Sequence, residues 1–148
     1  MTRVWAITML ISGALFAGGA VWIAWERVPA WRAAELPEFL STFAHTLRQV
    51  DRLQPVLLVI FMVSTVGFAL GDDGPPPTPA LVAASAALII MTGSVAWLVP
   101  LQRRMVAYDA DHPPPDVAEL RAQWVRGHSI RAVLSVLALV LSAAAAVA

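Results

Sequence analysis

Four apolar runs without a charged residue dominate this chain of 148 residues. They cover residues 4–25, 55–71, 79–101 and 132–148. An α-helix needs roughly 20 apolar residues to cross about 30 Å of hydrocarbon. The pattern therefore predicts an all-α protein, an integral membrane four-helix bundle that uses the whole chain, residues 1–148, as a single domain.

The two longest polar stretches, residues 26–54 and 102–131, are each about 30 residues long and too short to bury a core of their own. Within the first, Leu36, Phe39, Phe43 and Leu47 recur with helical spacing and predict an amphipathic helix over residues 36–53. Pro55 disfavours straight continuation, so this helix either kinks into the second run or lies flat at the membrane interface.

The fourth helix is predicted to begin near Val117, after a proline run and an Asp116–Glu119 pair that resembles a capping box. From there to residue 148 it is longer than a bilayer core. The second and fourth helices are therefore expected to extend beyond the membrane on the same side, where they form a water-accessible crown.

Charge distribution predicts the orientation of these helices. All ten basic residues are arginines, and nine of them lie in the two long polar stretches, against Arg3 alone on the other side. The positive-inside rule then predicts a multi-pass protein of the cell (inner) membrane, with residues 26–54 and 102–131 cytoplasmic and both termini outside. Alternatively, the first run is a secretory signal, since Arg3 precedes it and small residues follow at 17–20.

Composition narrows the function. Apolar residues make up 59% of the chain and charged residues 14%, against about a quarter in soluble domains. Cysteine is absent, which excludes disulfides and thiolate chemistry. No phosphate loop, serine nucleophile elbow, dinucleotide fingerprint or HExxH motif is present, so nucleotide hydrolysis is not expected, and no cofactor is assigned. The expected partner is the lipid bilayer, without nucleic acid, and small-residue spacings leave a homo-oligomer open.

A polar stripe is predicted along one face of the fourth helix, within roughly 80° on the helical wheel. Trp124 is expected to line a pocket for a flat molecule, with His128 as proton acceptor and Arg131 facing an anionic oxygen. On the structural interpretation, Arg131 instead anchors at the headgroups and the serines bond back to their own helix. The stripe consists of Arg121, Trp124, His128, Arg131, Ser135 and Ser142.

The remaining aromatic and metal-ligating residues have simpler interpretations. Trp22, Trp25, Trp31 and Trp97 are expected at the cytoplasmic interface. A metal or haem held jointly by His45 and His128 requires the helix to fold back at Pro55, so no metal site is assigned. The cluster of Asp109, Asp111 and His112 is interpreted as a solvated loop.

Two short elements carry a family resemblance. With Trp97, Pro100, Gln102 and Arg103, and then Trp124, His128 and Arg131, the chain resembles a family of small four-helix membrane proteins that includes the anthrone oxygenases. In that family a Pro-x-Asn element closes the third helix and a Trp-x3-His-x2-Arg element opens the fourth. This chain has Gln102 where the family usually has asparagine, which keeps the amide but lengthens its reach.

The resemblance implies oxygenation of a flat polyphenolic compound to a quinone without a cofactor motif, an anthrone-oxygenase-like monooxygenase activity. It also implies a lipophilic aromatic small molecule as a partner. We expect His128 and Arg131 to act in catalysis, and Trp124, Gln102, Arg121 and Trp97 to bind the substrate. Two other functions stay open: a non-enzymatic binding, transport or assembly subunit whose polar residues pair with one another, and a haem or metal protein.

Overall fold

The computed structural model describes residues 2–50, 53–71 and 77–147. These residues form helices and loops without a strand, which confirms the all-α class. The helices are labelled α1 Thr2–Ala33, α2 Leu36–Val50, α3 Gln54–Ala69, α4 Thr78–Val106 and α5 Val117–Val147. The sequence also predicts a short acidic turn on the outer side over residues 72–78, of which residues 72–76 lie outside the described part of the chain.

Three helices, α1, α4 and α5, are long and apolar enough to cross a membrane, and α2 with α3 is a fourth candidate if the bent pair crosses as one. The outer face of α1 carries a row of side chains at helical spacing, each more than half exposed: Val4, Ile7, Ile11 and Leu15. Such a continuous apolar surface is typical of a face that contacts lipid rather than water. The chain is a membrane protein of several apolar helices.

The axes of the amphipathic helix α2 and of α3 differ by 47°. Phe39, Phe43 and Leu47 are buried as predicted. Leu53 has the spacing of the same face but is 59% exposed, because it lies directly before the start of α3. Pro55 lies in the first turn of α3, where its missing N–H costs no helical hydrogen bond.

Packing is closest where the small residues lie. Helix α1 packs along α3 and α5, and α4 packs along α5 and α3. A Cβ atom on Gly13 would lie 2.8 Å from the Phe61 ring, and one on Gly67 would lie 2.7 Å from the Trp5 ring. These glycines therefore permit close helix contact, as their spacing predicts.

An aromatic cluster fills the crown, the cytoplasmic end of the fold as predicted from the arginines. Trp31 contacts Phe43 with ring centroids 5.1 Å apart and Trp124 at 5.6 Å, both edge to face. Trp31 is only 2% exposed, so its predicted place in an interface belt is wrong. Trp22, Trp25 and Trp97 are all at least 40% exposed, as interface residues require.

Two helices contain a π-helical turn, Ile23–Arg27 in α1 and Ser94–Leu98 in α4. Each is followed by a Val-Pro pair, ending in Pro29 and Pro100. Proline has no N–H to donate and its ring crowds the carbonyl four residues earlier, so a wider turn before it relieves the conflict. Turns of this kind often occur at functional sites.

Helix α5 begins at Val117, as predicted. The Asp116 carboxylate before it has a different role from the predicted cap. Its Oδ2 atom accepts hydrogen bonds from Arg104 Nη2 at 2.8 Å and from the Tyr108 hydroxyl at 3.1 Å. Asp116 therefore fastens the end of α4 to the start of α5.

Candidate functional site

A partly open cavity of about 150 Å³ lies among α1, α3, α4 and α5. We call it the inner cavity. Its polar lining residues are Gln54, Ser94, Gln102 and Arg131, and the remaining walls are apolar: Phe16, Pro55, Leu58, Met91, Val95, Leu98 and Val99. A mostly apolar pocket with a few convergent polar groups is the usual form of a small-molecule site.

Arg131 is positioned by a hydrogen bond to His128. Its Nη2 atom donates a hydrogen bond to His128 Nδ1 at 3.0 Å. His128 Nε2 lies 3.0 Å from the carbonyl oxygen of Ala20 on α1. Because a guanidinium can only donate and a carbonyl can only accept, the imidazole is the neutral tautomer with its proton on Nε2. His128 thus links α1 to the cavity arginine.

The His128 ring is fixed on a second side by Trp124. The two rings are stacked, with centroids 4.9 Å apart and an interplanar angle of 11°. His128 is 0% exposed and Trp124 is 1% exposed, so neither ring meets solvent. Ser135 Oγ donates to the Arg131 carbonyl at 2.7 Å, which is the back-bonding expected on the structural interpretation of the stripe.

Two polar atoms beside Arg131 are buried and have no hydrogen-bond partner in the part of the chain that the structure describes. They are Gln54 Oε1 and Ser94 Oγ. Buried polar atoms are nearly always paired, and each unpaired one costs roughly 1–3 kcal/mol. Both residues line the inner cavity, so these atoms are available to a ligand or water held there.

The backbone makes room for the Gln54 amide. Gly19 on α1 lies directly against Gln54 Nε2, so that a Cβ atom at this position would overlap it. Gln54 is only 8% exposed at the start of α3. The absence of a side chain at Gly19 thus allows an amide to enter an otherwise apolar helix contact.

The π-helical turn of α4 forms one wall of the inner cavity. Three of its five residues, Ser94, Val95 and Leu98, line the cavity. The other π-helical turn begins three residues after Ala20, whose carbonyl accepts the His128 hydrogen bond. Both irregular turns therefore adjoin the same site.

The structure brings some of the sequence-predicted residues together and separates others. Arg131 and Gln102 line the inner cavity, and His128 lies directly behind Arg131. Trp124 is packed in the crown, and Trp97 is 40% exposed and packs against Gly127. Neither tryptophan lines the cavity with Arg131, so their predicted contact with a substrate there is not supported by the geometry.

Arg121 has a structural role at the crown. Its Nη1 atom donates to the carbonyl oxygens of Trp31 and Ala34, both at 2.9 Å. Trp31 lies in the last turn of α1 and Ala34 directly follows it, where carbonyls lack helical partners. Arg121 therefore caps α1 and lies outside the inner cavity, which differs from its predicted place in substrate binding.

Sequence reasoning missed Gln54 and Ser94. Gln54 was placed at the end of a polar stretch, although its position directly before Pro55 and the second apolar run was a signal of burial. Ser94 is a polar residue within an apolar run. The side of α4 on which its hydroxyl lies depends on the π-helical turn that begins at this residue. The periodicity of a regular helix does not predict that side.

Metal-ligating side chains do not converge within residues 2–50, 53–71 and 77–147, where no group of three or more His, Asp or Glu residues is arranged to hold a metal. His45 contacts Gln49 on the exposed face of α2, and both His128 nitrogens are hydrogen-bonded elsewhere. Nothing in this arrangement gives the two histidines a common ligand.

The acidic loop cluster is solvent-exposed, as interpreted from the sequence. Asp109 Oδ1 accepts from the Asp111 backbone N–H at 3.0 Å, and His112 Nδ1 lies 3.2 Å from Asp109 Oδ2. The backbone N–H of Asp111 and then the His112 side chain lower the pKa of Asp109. The cluster is a hydrogen-bonded loop that contributes no residue to the lining of the inner cavity.

A larger groove of about 400 Å³ lies between α1 and α5, but its chemistry is different. Its lining is apolar apart from Ser129, whose hydroxyl already donates to the Val125 carbonyl at 2.9 Å. Trp25 beside it is 84% exposed. The groove has the composition of a lipid-contacting surface rather than a reactive site.

The inner cavity is suited to hold a negatively charged oxygen. A guanidinium and two side-chain amides face a largely apolar space, where preorganised donors stabilise an oxyanion far more than they do in water. Arg131 is the one titratable side chain among the lining residues. The site can therefore favour a phenolate or enolate form of a flat ligand.

A scan against protein-family models matches the anthrone oxygenase family over residues 43–141. The match includes four residues of the site: Gln54, Ser94, Gln102 and Arg131. Searches of curated proteins and of solved structures found no match. Because the family match covers more than half of the chain, the protein belongs to the anthrone oxygenase family.

Proposed function

We propose that this protein is a membrane-bound oxygenase that converts an anthrone-like lipophilic phenol to the corresponding quinone without a cofactor. Family membership supports oxygenase-like chemistry. The observation that carries the proposal is the Arg131 guanidinium, which lines an apolar cavity beside Gln54, Ser94 and Gln102. This arrangement is complementary to the enolate that an anthrone forms before it reacts with dioxygen.

The reaction begins with loss of a proton from the methylene group between the aromatic rings. The electron pair of that C–H bond moves toward the ring carbonyl, and the charge on its oxygen is stabilised by Arg131 and the amides. The carbanion carbon then forms a bond to dioxygen. Loss of water from the resulting peroxide breaks the O–O bond and leaves a carbonyl, so one methylene and one O₂ give one carbonyl and one water.

His128 is the proposed proton acceptor, and its contact with Arg131 controls when it can act. With the guanidinium bound at 3.0 Å, the Nδ1 lone pair is already occupied. When the carbonyl oxygen of a bound anthrone draws the guanidinium toward the cavity, Nδ1 is released and can take the proton of the methylene group as the enolate forms. The positive charge of Arg131 and the base are thus made available in the same step.

The apolar walls have their own role in this chemistry. Phe16, Leu58, Met91 and Val95 surround the polar groups and exclude bulk water. Dioxygen is itself apolar and enters such a space readily. Exclusion of water also strengthens the contact between the guanidinium and the oxyanion.

The direct test is oxidation of a 1,8-dihydroxyanthrone by purified protein in a nonionic detergent. The quinone is followed by its visible absorbance and dioxygen uptake by an electrode, against heat-inactivated protein as the autoxidation control. We expect one O₂ consumed per quinone formed. Arg131→Gln should lower kcat/KM by about a hundredfold, which is the usual effect of removing an oxyanion donor. Arg126→Gln should leave the rate unchanged.

A rate that does not exceed autoxidation would contradict the enzymatic proposal. One observation would then favour the second function, a non-enzymatic binding subunit: both nitrogens of His128 are already paired within the protein. In that case the protein should bind the quinone without any turnover, and a competing ligand should displace it. The Arg131→Gln variant should not bind it.

A further inference from the structure

A second groove adjoins the inner cavity on its crown side. We call it the vestibule; it has a volume of about 420 Å³ and lies between α2 and α4. Two of its lining residues, Val99 and Gln102, also line the inner cavity. The two spaces therefore meet at the Gln102 side chain, which is 7% exposed.

The volumes of the two spaces limit the size of the ligand that each can hold. A cavity of about 150 Å³ is known to hold a single benzene ring. Sites for larger organic ligands measure roughly 300–1,000 Å³. A three-ring compound that places one ring beside Arg131 must therefore extend past Gln102 into the vestibule.

The vestibule combines an apolar floor with a cationic rim. Ala44 and Leu47 on α2 face Val99 and Val106 on α4, and an arginine comes from each helix, Arg48 and Arg103. No carboxylate is among the residues that line it, within the described part of the chain. Both arginines are exposed, so their guanidinium groups are open to a ligand.

We propose that the vestibule is the entrance to the inner cavity and binds a carboxylate carried by the distal ring of an aromatic substrate. This inference rests on the proposed function and names its substrate class more closely, a polycyclic phenol that is also a carboxylic acid. Guanidinium groups recognise a carboxylate through paired, charge-assisted hydrogen bonds. The ring carbonyl would then face Arg131, and the acid would remain at the crown.

Two product-like dyes that differ in one group provide the probe: 1,8-dihydroxyanthraquinone and its 3-carboxylate. Binding is measured by quenching of tryptophan fluorescence, with the full-length protein in phosphatidylcholine nanodiscs. We expect the carboxylate to bind about tenfold more tightly, and the preference to disappear in Arg48→Gln/Arg103→Gln. The control is the double variant Arg32→Gln/Arg126→Gln, which changes two exposed crown arginines outside both spaces. It should retain the preference for the carboxylate.

Equal affinity for the two dyes, or a preference unchanged in Arg48→Gln/Arg103→Gln, would overturn the inference while leaving anthrone oxidation to stand. Conversely, a carboxylate preference that depends on both arginines, without any quinone formation, would support the vestibule and end the oxygenase proposal. Displacement of the carboxylate dye by nanodiscs containing phosphatidylglycerol would identify the groove as a lipid headgroup site and overturn the inference as well.

Discussion

Arg131 and His128, three residues apart on one helix, are joined by a hydrogen bond in which the guanidinium donates to Nδ1 at 3.0 Å. The contact fixes the tautomer of a buried imidazole and the position of a cavity arginine together. Nitrogen NMR should therefore detect the proton of His128 on Nε2. With His45 and His112 replaced by glutamine, a single imidazole signal remains, and a proton on Nδ1 would contradict this geometry.

Substitution at position 128 separates positioning from proton transfer. His128→Asn offers an amide oxygen to Arg131 but no group that takes a proton, so we expect it to retain quinone binding and lose turnover. His128→Ala removes the contacts with both Ala20 and Arg131 and should also lower the free energy of unfolding by about 2–4 kcal/mol. Turnover in His128→Asn at the wild-type rate would exclude this residue as the proton acceptor.

Glycine substitutions test whether Gln54 serves the cavity. In Gly19→Ala the new methyl group overlaps Gln54 Nε2 and should push this flexible amide out of place. We expect quinone affinity to fall about tenfold, with unfolding free energy changed by less than about 1 kcal/mol because the side chain can yield. Gly18→Ala is the matched control, since a Cβ there meets nothing within 4 Å.

Gln102 lies where the inner cavity and the vestibule meet, and its amide can be shortened or removed. Gln102→Asn keeps the amide but withdraws it by one methylene, so we expect a raised KM with kcat retained. Gln102→Leu keeps the size and loses the donor, and kcat should fall by roughly a hundredfold. Steady-state oxidation kinetics on both variants distinguish the two effects, and equal kinetics for the two would contradict a role for the amide.

Membrane orientation stays a prediction from the arginines, and the chain is well suited to its test because it has no cysteine. A single cysteine in Arg3→Cys should react with a membrane-impermeant maleimide on intact cells. One in Glu38→Cys, on the exposed face of α2, should react only after permeabilisation. The reverse pattern would place the amino terminus in the cytoplasm.

Sequence reasoning succeeded where a property depends on helical periodicity and composition. The apolar runs predicted the helices, and the spacing of Phe39, Phe43 and Leu47 predicted the buried face of α2. It placed Trp124 and Arg121 in a pocket because they share a helical face with Arg131. That face is long, and Trp31 packs against its crown end. Trp124 contacts the Trp31 ring, and Arg121 donates to the Trp31 carbonyl.

The rest of the site depends on contacts between helices distant in sequence. Nothing local indicates that the Ala20 carbonyl accepts from His128, 108 residues later. The entry of Gln54 depends equally on a missing side chain at Gly19, on another helix. Pairwise geometry of this kind becomes visible only when the helices are placed together.

The wide turn at Ser94–Leu98 inserts one residue more than a regular helix would hold. Since each residue advances an α-helix by about 100°, this insertion sets the azimuth of everything that follows on α4. Deletion of Ala96 would restore the regular pitch and swing the segment that carries Gln102 about a quarter-turn around the axis. The distance along the chain between the apolar part of α4 and its arginines would hardly change, yet the amide would leave the cavity.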